Sequence, residues 1–392
     1  MVWFLALILA FAPIYLVRFQ IGPLPTTLLE ILIVGFLVGS VIRYQLSDIK
    51  QKIKSLGNIN YAIILFVIAG IISTAFSPEP IKALGLLRAF IIEPILIFYA
   101  IVLTVNSKQI TVIIKPLFWV TVLISAFGIF QYYSFIHLLP KFWGYGDEPR
   151  RIVSIFAHPN ALSLYLAPLF AFFVTLWLNG YKLTKNIWIS GIGLLIIGTA
   201  LIVTFSRGAW LAVALSIFVV LINQFGLKKI IIPAVIGVLA LLLISSIRDR
   251  ITLGISDSST NARLELMGIG VNKILDNPFL GNGLYGFRTT QAEAGYTGEI
   301  HNYPHNLFLA LWVELGLLGI LSFAWIINLA LKQYQKSAFA KASADKHPQL
   351  IKFAASIFIL TVLIHGLVDT SYFKNDLALL FWFAISLFYI KQ

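Results

Sequence analysis

The chain has 392 residues, of which 59% are hydrophobic and 11% are charged, and its formal net charge is +13. Soluble domains carry about 25% charged residues, so this composition argues against a water-soluble protein and against a nucleic-acid binder built on a basic surface. The apolar runs are continuous, which excludes a transmembrane β-barrel, and the lack of cysteine excludes disulfides, thiolate zinc sites and cysteine nucleophiles.

These apolar runs predict an all-α, polytopic membrane protein, with 1–392 as a single membrane domain. A transmembrane helix needs roughly 20 mainly apolar residues, and about twelve such segments are present. The predicted spans are 2–17, 25–42, 60–77, 81–105, 109–135, 153–179, 186–205, 208–225, 230–247, 304–331, 350–369 and 376–390. One large loop, 248–303, separates the ninth span from the tenth.

The lysines predict the orientation in the membrane. If the N-terminus is cytoplasmic, the inside connections and the C-terminal tail hold Arg43 and fourteen lysines, with Asp48 and Asp345 as their acids. This excess agrees with the positive-inside rule, although Arg18 falls outside. We therefore expect a multi-pass protein of the cytoplasmic membrane with both termini inside and the large loop on the extracytoplasmic face.

Nine of the ten arginines lie on the predicted outer side or in buried positions. A guanidinium binds phosphate or carboxylate through a planar fork of donors. The alternative is that these side chains reach out to lipid headgroups. Arginines at outward helix N-termini are the stronger candidates for ligand binding, because free N–H groups there also attract anions.

Two predicted spans begin with residues of this kind. Ser206 is a candidate N-cap of span eight. The tight turn between spans seven and eight holds Arg207 near the membrane surface, where a charge without a partner is costly. His158 and Asn160 flank Pro159, which suits the first turn of span six. For His158 and Asn160 the simpler interpretation is structural: the histidine forms a hydrogen bond at the start of the helix.

An aromatic loop, Phe142-Trp143-Gly144-Tyr145-Gly146, precedes span six and is followed by Arg150 and Arg151. Aromatic rings beside arginines are suited to hold a sugar and a phosphate. They are equally typical of an interfacial aromatic belt, and the sequence leaves both interpretations open.

The large loop contains a predicted short amphipathic helix, because apolar residues recur at helical spacing at Leu264, Met267, Val271, Ile274 and Leu275. Asn261 is its predicted N-cap, and Asn277-Pro278 its predicted end. Arg263 would then lie in the first turn, where its charge opposes the helix dipole unless an anion lies between them.

A glycine-rich segment, 281–286, follows this helix and leads to Arg288. The glycines predict tight backbone turns near a ligand. The segment is not a dinucleotide fingerprint, because no parallel-sheet unit surrounds it.

The strongest candidate site is HNYPHN, residues 301–306, at the start of span ten. Pro304 is predicted at the first helical position, so that His305 lies in the first turn. A helix N-terminus favours the neutral imidazole, which is the form that a general base requires. A structural histidine at the membrane interface is the alternative.

Carboxylates inside predicted spans are functional candidates, because they are rare in membranes. Glu314 lies in span ten, and Asp369 closes span eleven near His365. Glu93 is instead expected to form a structural pair with Arg88 on span four.

The outward segments contain no acid pair of the DxD type and no histidine–carboxylate cluster with metal-ligand spacing. We therefore expect catalysis by arginines and a histidine, with no metal and no other cofactor.

Taken together, five segments resemble the O-antigen ligase and O-antigen polymerase family of bacterial membrane glycosyltransferases. They are HPNALSLYL at 158–166, TFSRGAWLA at 204–212, ARLELMGIG…NPFLGNGLYGF at 262–287, HNYPHNLFLALWVELGLLGIL at 301–321 and HGLVD at 365–369. They follow family order around one large outward loop. Residues 1–140 match only as hydrophobic spans.

The resemblance implies a GT-C-like enzyme that transfers a glycan from an undecaprenyl diphosphate donor to an acceptor hydroxyl at the outer face. It implies that Arg207 and Arg263 bind the diphosphate, that Arg151 and Arg288 add contacts, and that His305 activates the acceptor. The supporting residues are His301, Asn306, His158, Asn160 and Asp369. Direct attack on the anomeric carbon would invert its configuration. The implied partners are the bilayer, the lipid-linked donor and a glycan, lipid or protein acceptor, and not a nucleic acid.

Ligases and polymerases of this kind differ in their acceptor. A ligase uses a surface acceptor such as a lipid core sugar, whereas a polymerase uses a second lipid-linked repeat. The sequence leaves both open, and we favour the ligase. The alternative of another class is a lipid-linked sugar flippase or transporter, although paired repeats and broken midplane helices are not visible in the sequence.

Overall fold

The computed structural model describes residues 1–21, 24–43, 46–144, 149–233, 258–339 and 347–390. These residues are mostly helical, with one two-stranded hairpin. The α-helices are α1 (Val2–Ala10), α2 (Leu28–Arg43), α3 (Leu46–Ser55), α4 (Ile59–Ala75), α5 (Pro80–Leu87), α6 (Glu93–Thr104), α7 (Ile110–Ser134), α8 (Pro159–Leu178), α9 (Ile187–Val203), α10 (Arg207–Phe225), α11 (Ser258–Asp276), α12 (Gly286–Glu293), α13 (Leu307–Phe339), α14 (His347–His365) and α15 (Asn375–Ser386).

Six of the described helical segments are long and apolar enough to cross a membrane: Pro80–Thr104, Ile110–Ser134, Pro159–Leu178, Arg207–Phe225, Leu307–Gln335 and His347–His365. Shorter apolar helices at Leu28–Ser40, Ile59–Ala75, Ile187–Val203 and Asn375–Ser386 coincide with further predicted spans. The chain is a membrane protein with several helical segments of spanning length. Residues 234–247 of the ninth predicted span and 248–257 of the large loop lie outside the described residues, and the count of twelve stays a prediction.

The first predicted span, 2–17, is not one continuous helix. α1 ends at Ala10, and a 3-10 helix occupies Ala12–Leu16. Pro13 lacks an N–H group and disfavours helical backbone in the residue before it, which accounts for the change. Two antiparallel strands follow, β1 (Arg18–Ile21) and β2 (Leu24–Thr27).

The helices form two compact units. The first comprises Met1–Leu117, Arg263–Ser356 and Gly366–Gln392, and the second comprises Phe118–Ala262 and Ile357–His365. In the first unit, α4 packs along α13, and α15 packs against α6. In the second unit, α8 packs against both α9 and α10.

An aromatic cluster forms part of the core of the first unit. The Tyr372 hydroxyl donates to the Phe90 carbonyl at 2.6 Å and accepts from Trp382 Nε1 at 3.0 Å. Phe66 of α4 and Phe323 of α13 lie against the Tyr372 ring. A buried tyrosine needs a partner for its hydroxyl, and these bonds fix the segment before α15 against α6 and its preceding turn.

The predicted pairing of Arg88 with Glu93 is present. Arg88 Nε lies 3.5 Å from Glu93 Oε1, and the same guanidinium lies 2.7 Å from Glu30 Oε2. Both carboxylates are buried, and buried charges require such partners. Arg88 therefore has a structural role that joins α2 to the start of α6.

α13 is interrupted at Gly316, which adopts φ 68 and ψ −172. The loop between α11 and α12 supplies the hydrogen bonds that the interrupted helix lacks. Leu317 N–H donates to the Phe279 carbonyl at 3.0 Å, and Asn282 N–H donates to the Val313 carbonyl at 2.6 Å. A broken helix is thus present that the sequence did not reveal, and its backbone groups are satisfied by the protein itself.

The glycines of 281–286 were predicted to turn near a ligand, but those at positive φ approach protein backbone. A Cβ on Gly281 would lie 2.3 Å from the Val313 oxygen, and one on Gly316 would lie 2.3 Å from the Phe279 oxygen. A Cβ on Gly283 would lie 2.7 Å from Ser77 Cα in the turn after α4. These contacts explain the glycines by packing alone.

We expect Gly281→Ala and Gly316→Ala to lower the thermal stability of the purified protein strongly. Left-handed backbone costs about 1–2 kcal/mol for a residue with a Cβ, and the contact with backbone oxygen adds to this. Thermal unfolding in detergent measures the effect.

Gly268→Ala is the matched control, since Gly268 lies in α11 with no atom within 4 Å of the position that an alanine methyl group would occupy. Alanine is favoured over glycine in helices, so this variant should keep or raise stability. Equal unfolding temperatures for all three variants would contradict the assigned role of the break.

Candidate functional site

The start of α13 differs from the prediction. The helix begins at Leu307 and not at Pro304. Asn306 Oδ1 accepts hydrogen bonds from Phe308 N–H and Leu309 N–H, both at 3.0 Å. Asparagine is a strong N-cap, worth about 1 kcal/mol over alanine, and this cap sets the first helical residue. His305 therefore lies just outside the helix.

The same junction is tied to the segment after α14. Leu307 N–H donates to the Gly366 carbonyl at 2.7 Å, and Asn306 Nδ2 donates to the Leu367 carbonyl at 2.9 Å. Asp369 lies two residues after Leu367. The supporting role expected of Asn306 is thus to hold two distant segments together.

His305 lies between two polar side chains. Its backbone is left-handed, with φ 50, a conformation in which histidine and asparagine are enriched. Its Nδ1 lies 3.2 Å from Asp369 Oδ1, and its Nε2 lies 3.2 Å from His301 Nδ1. The order along this line, which we call the Asp-His-His chain, is Asp369, His305, His301.

His301 is fixed through its backbone by Gln291 of α12. Gln291 Oε1 accepts from His301 N–H at 2.8 Å, and Gln291 Nε2 donates to the His301 carbonyl. Gln291 is completely buried. One side chain therefore satisfies both backbone groups of His301 and fixes the backbone that carries its ring.

The surroundings of His301 favour its neutral form. Burial lowers its pKa, and the neighbouring His305 and the Arg263 guanidinium act in the same direction, whereas Glu299 and Asp369 oppose them. The net result is a pKa below the ordinary histidine value, so this imidazole holds a free lone pair at neutral pH.

Arg263 acts on this group from α11, but not from the predicted place. α11 is already helical at Ser258, so Asn261 is not its N-cap and Arg263 is not in its first turn. The helix ends at Asp276, as predicted. Within the described part of the chain, the Arg263 guanidinium forms no hydrogen bond or ion pair.

The apolar stripe that predicted α11 is also not its packing face. Leu264 and Leu275 are 63% and 73% exposed. The buried residues are Leu266 and Ile274, which pack with Phe287 of α12 and Val313 of α13. The periodicity predicted the helix correctly, but of the residues that carry it only Ile274 belongs to the buried cluster.

Arg288, on α12, is exposed, and its Nη1 donates to Asn302 Oδ1 at 3.1 Å. It therefore lies beside the loop that carries His301. Arg263, Arg288, His301, His305 and Asp369 all belong to the first unit.

The second unit holds the other predicted arginines. Arg151 Nε donates to the Thr204 carbonyl at 2.8 Å, and its Nη2 donates to Asn160 Oδ1 at 2.7 Å. Ser206 is the N-cap residue of α10, and Arg207 its first residue, as predicted. Arg151 is thus anchored at the turn that ends in Arg207, between the N-termini of α8 and α10. Arg207 Nη2 also donates to Thr260 Oγ1 at 3.3 Å.

His158 has a structural role, as the simpler interpretation held. It is the N-cap of α8, and its Nδ1 accepts from Asn160 N–H at 3.1 Å, with Pro159 as the first helical residue.

Arg150 stacks on Phe135, with 3.9 Å from its guanidinium carbon to the ring centroid, and donates to the Trp143 carbonyl. Residues 145 and 146 of the aromatic loop lie outside the described residues.

Glu314 caps α12. Its two carboxylate oxygens accept from Tyr285 N–H at 2.5 Å and Phe287 N–H at 3.1 Å. A carboxylate at a helix N-terminus is stabilised by the free N–H groups and the dipole. This side chain is therefore structural: it fixes the helix that carries Gln291.

In the described ranges, no three His, Asp or Glu side chains are grouped to hold a metal ion.

One family model matches the chain, over residues 192–324, and its description is O-antigen ligase. Residues 192–324 are therefore similar to the O-antigen ligase family. The matched part contains Arg207, Arg263, Arg288, His301 and His305, whereas Arg151 and Asp369 lie outside it. No curated protein matches the chain. The family match indicates a membrane enzyme of glycan transfer, with ligase-like or polymerase-like activity.

The sequence did not point to Gln291, and it assigned His301 only a supporting role. A glutamine in a short helix belongs to no motif, and nothing local shows that it is buried. The spacing of His301 and His305 was visible, but their contact depends on the left-handed backbone at His305.

We expect Gln291→Leu to loosen the loop before α13 without unfolding the protein. The change leaves two backbone groups of His301 without partners, at about 1–3 kcal/mol for each that stays buried. Hydrogen exchange of peptides that cover 296–304 should become faster. The control is Glu293→Gln on the same helix, which removes only an exposed pair with Lys273. Unchanged exchange in the Gln291 variant would show that the clamp is not needed.

Proposed function

We propose that this protein transfers a glycan from a polyprenyl diphosphate, in bacteria undecaprenyl diphosphate, to an acceptor hydroxyl, in a reaction of the O-antigen ligase type. The observation that carries the proposal is that residues 192–324 match the O-antigen ligase family and contain His305, which lies 3.2 Å from Asp369. A histidine paired with a carboxylate is suited to take a proton from a hydroxyl.

In the proposed reaction the acceptor oxygen forms a bond to the anomeric carbon of the donor sugar. The bond from that carbon to the diphosphate oxygen breaks, and its electron pair leaves with the lipid diphosphate. The acceptor proton passes to the histidines and then to water. Attack from the face opposite the leaving group inverts the anomeric configuration, and Asp369 stabilises the charge that His305 gains.

The arginines are proposed to bind the leaving group. Its negative charge increases as the glycosidic bond breaks, and fixed guanidinium groups stabilise such charge without a proton donor or a metal. Arg263 supports this role because it has no partner among the described residues, and Arg207 supports it because it begins α10. Arg151 and Arg288 are proposed to assist.

The membrane helices are proposed to hold the polyprenyl tail, with the large loop and the reaction on the extracytoplasmic face. The lysine-rich inside connections support this orientation.

The direct test is incubation of the purified protein with a lipid-diphosphate-linked glycan and separate acceptors. A lipid core sugar that receives one glycan supports the ligase, and a ladder built on a second lipid-linked repeat supports the polymerase. A protein that neither binds the donor nor transfers to any acceptor would overturn the proposal.

We expect Arg207→Ala and Arg263→Ala each to weaken donor binding about tenfold or more, because charge-assisted hydrogen bonds are worth roughly 1.5–3 kcal/mol. Lysine should restore only part of the affinity, since it lacks the planar fork. Binding of a fluorescent lipid diphosphate measures the effect. Lys273→Ala is the control, because it removes a cation from α11 that is paired with Glu293. Unchanged donor affinity in both arginine variants would remove them from the site.

We expect His305→Ala to bind donor normally and to lose about 10²–10⁴ in turnover, the usual share of general acid–base catalysis. His305→Asn should lose as much and fold more readily, since asparagine tolerates left-handed backbone. Asp369→Asn should lose less than either. His137→Asn is the control, at an exposed histidine that also has a positive φ. Near-normal transfer by His305→Asn would exclude His305 from general acid–base catalysis.

A further inference from the structure

Both ring nitrogens of His305 already have partners. Nδ1 faces Asp369 and Nε2 faces His301 Nδ1, each at 3.2 Å. A base needs an available lone pair within hydrogen-bond reach of the acceptor hydroxyl. In this arrangement His305 cannot offer one unless His301 moves away, and His301 is held by the buried Gln291.

The hydrogen bonds determine where the free lone pair lies. If the Asp369 carboxylate accepts from Nδ1–H of a neutral His305, then His305 Nε2 carries a lone pair. That lone pair must accept from His301 Nδ1–H, because one of the two facing nitrogens has to be the donor. The remaining nitrogen, His301 Nε2, then carries the outermost lone pair of the Asp-His-His chain. No hydrogen bond to it is formed within the described residues.

We propose that His301 Nε2 takes the proton from the acceptor hydroxyl, and that His305 receives the charge beside Asp369. This inference rests on the proposed glycan transfer and changes which histidine contacts the acceptor. His301, which the sequence treated as supporting, becomes a catalytic residue, and His305 becomes the relay behind it.

The proton steps balance along the chain. The acceptor O–H bond breaks as its oxygen bonds to the anomeric carbon, and the proton binds His301 Nε2. The proton on His301 Nδ1 passes to His305 Nε2. His305 is then an imidazolium whose Nδ1–H faces the Asp369 carboxylate, which stabilises it. After the lipid diphosphate leaves, one proton returns to water and both rings are neutral again.

The charges around His301 are consistent with this role. His305 and Glu299 lie on its own segment, Arg263 faces it from α11, and Asp369 faces it from the segment after α14. Burial is the main cause that lowers the pKa of His301; His305 and Arg263 act in the same direction and Glu299 and Asp369 oppose them, so the ring is a neutral base at pH 7. The neutral fraction rises with pH, and the rising limb of the rate should therefore lie below about 6.5.

The test compares His301→Asn with His301→Ala. The asparagine amide nitrogen is bonded to Cγ, as Nδ1 is in histidine, so it can still donate to His305 Nε2 and keep that ring in place. It offers no base at the position of Nε2. If His301 takes the proton, both variants should lose about 10²–10⁴ in turnover, keep donor affinity, and lose the limb below 6.5. Added imidazole should restore part of the rate of His301→Ala.

The outcomes separate this inference from the proposed function. If His301→Asn transfers within threefold of the unaltered protein, or keeps the same acidic limb, His301 only positions His305 and the inference is overturned. If only His301→Ala is impaired and asparagine restores the rate, the same conclusion holds. If the unaltered protein neither binds donor nor transfers glycan, the proposed function fails, and the inference fails with it.

Discussion

The site of the first unit depends on the hydrogen bonds at the start of α13. Asn306 caps the helix and also donates to Leu367, while Leu307 N–H donates to Gly366. These bonds join the end of the large loop to the segment after α14. They bring together His305 and Asp369, which are 64 positions apart in the chain. The junction also holds His305 outside the helix, where its two ring nitrogens face Asp369 and His301.

A second series of contacts runs from the membrane helices to His301. The break at Gly316 receives the loop before α12, and Glu314, two residues earlier on α13, caps α12. α12 carries Gln291, which holds the backbone of His301. Each contact in this series is made by a buried group. The backbone position of the half-buried His301 is therefore fixed through α13 and α12, in addition to the loop that contains it.

The two units divide the charged groups of this membrane enzyme. The second unit has Arg151 and Arg207 at the N-termini of α8 and α10, where helix ends add their own attraction for anions. The first unit has the Asp-His-His chain with Arg263 and Arg288. The groups of the two units therefore differ in chemistry: arginines at helix N-termini in the second, and hydrogen-bonded imidazoles beside a carboxylate in the first.

The sequence determined the features that depend on neighbouring residues. Runs of apolar residues identify helices of spanning length because the bilayer thickness sets that length. Pro159 marked the start of α8, and Asn277-Pro278 marked the end of α11, because proline acts within a few residues of itself. Ser206 occupies the N-cap position of α10, as its place before span eight indicated. Arg207 was therefore placed correctly at its helix end.

The tertiary structure decided everything that needed a distant partner. Pro304 was the predicted helix start, but Asn306 caps α13, and its side chain and the next N–H group are held by the distant Leu367 and Gly366 carbonyls. The glycines near 281 allow a close approach to the backbone of α13. Most of the apolar residues that predicted α11 are exposed, because burial depends on what packs against a face. The contact of His305 with Asp369, the buried Gln291 and the structural role of Glu314 arose in the same way. Hydrogen bonds across 10 to 64 positions of sequence cannot be read from local pattern, and they are what assembles the site.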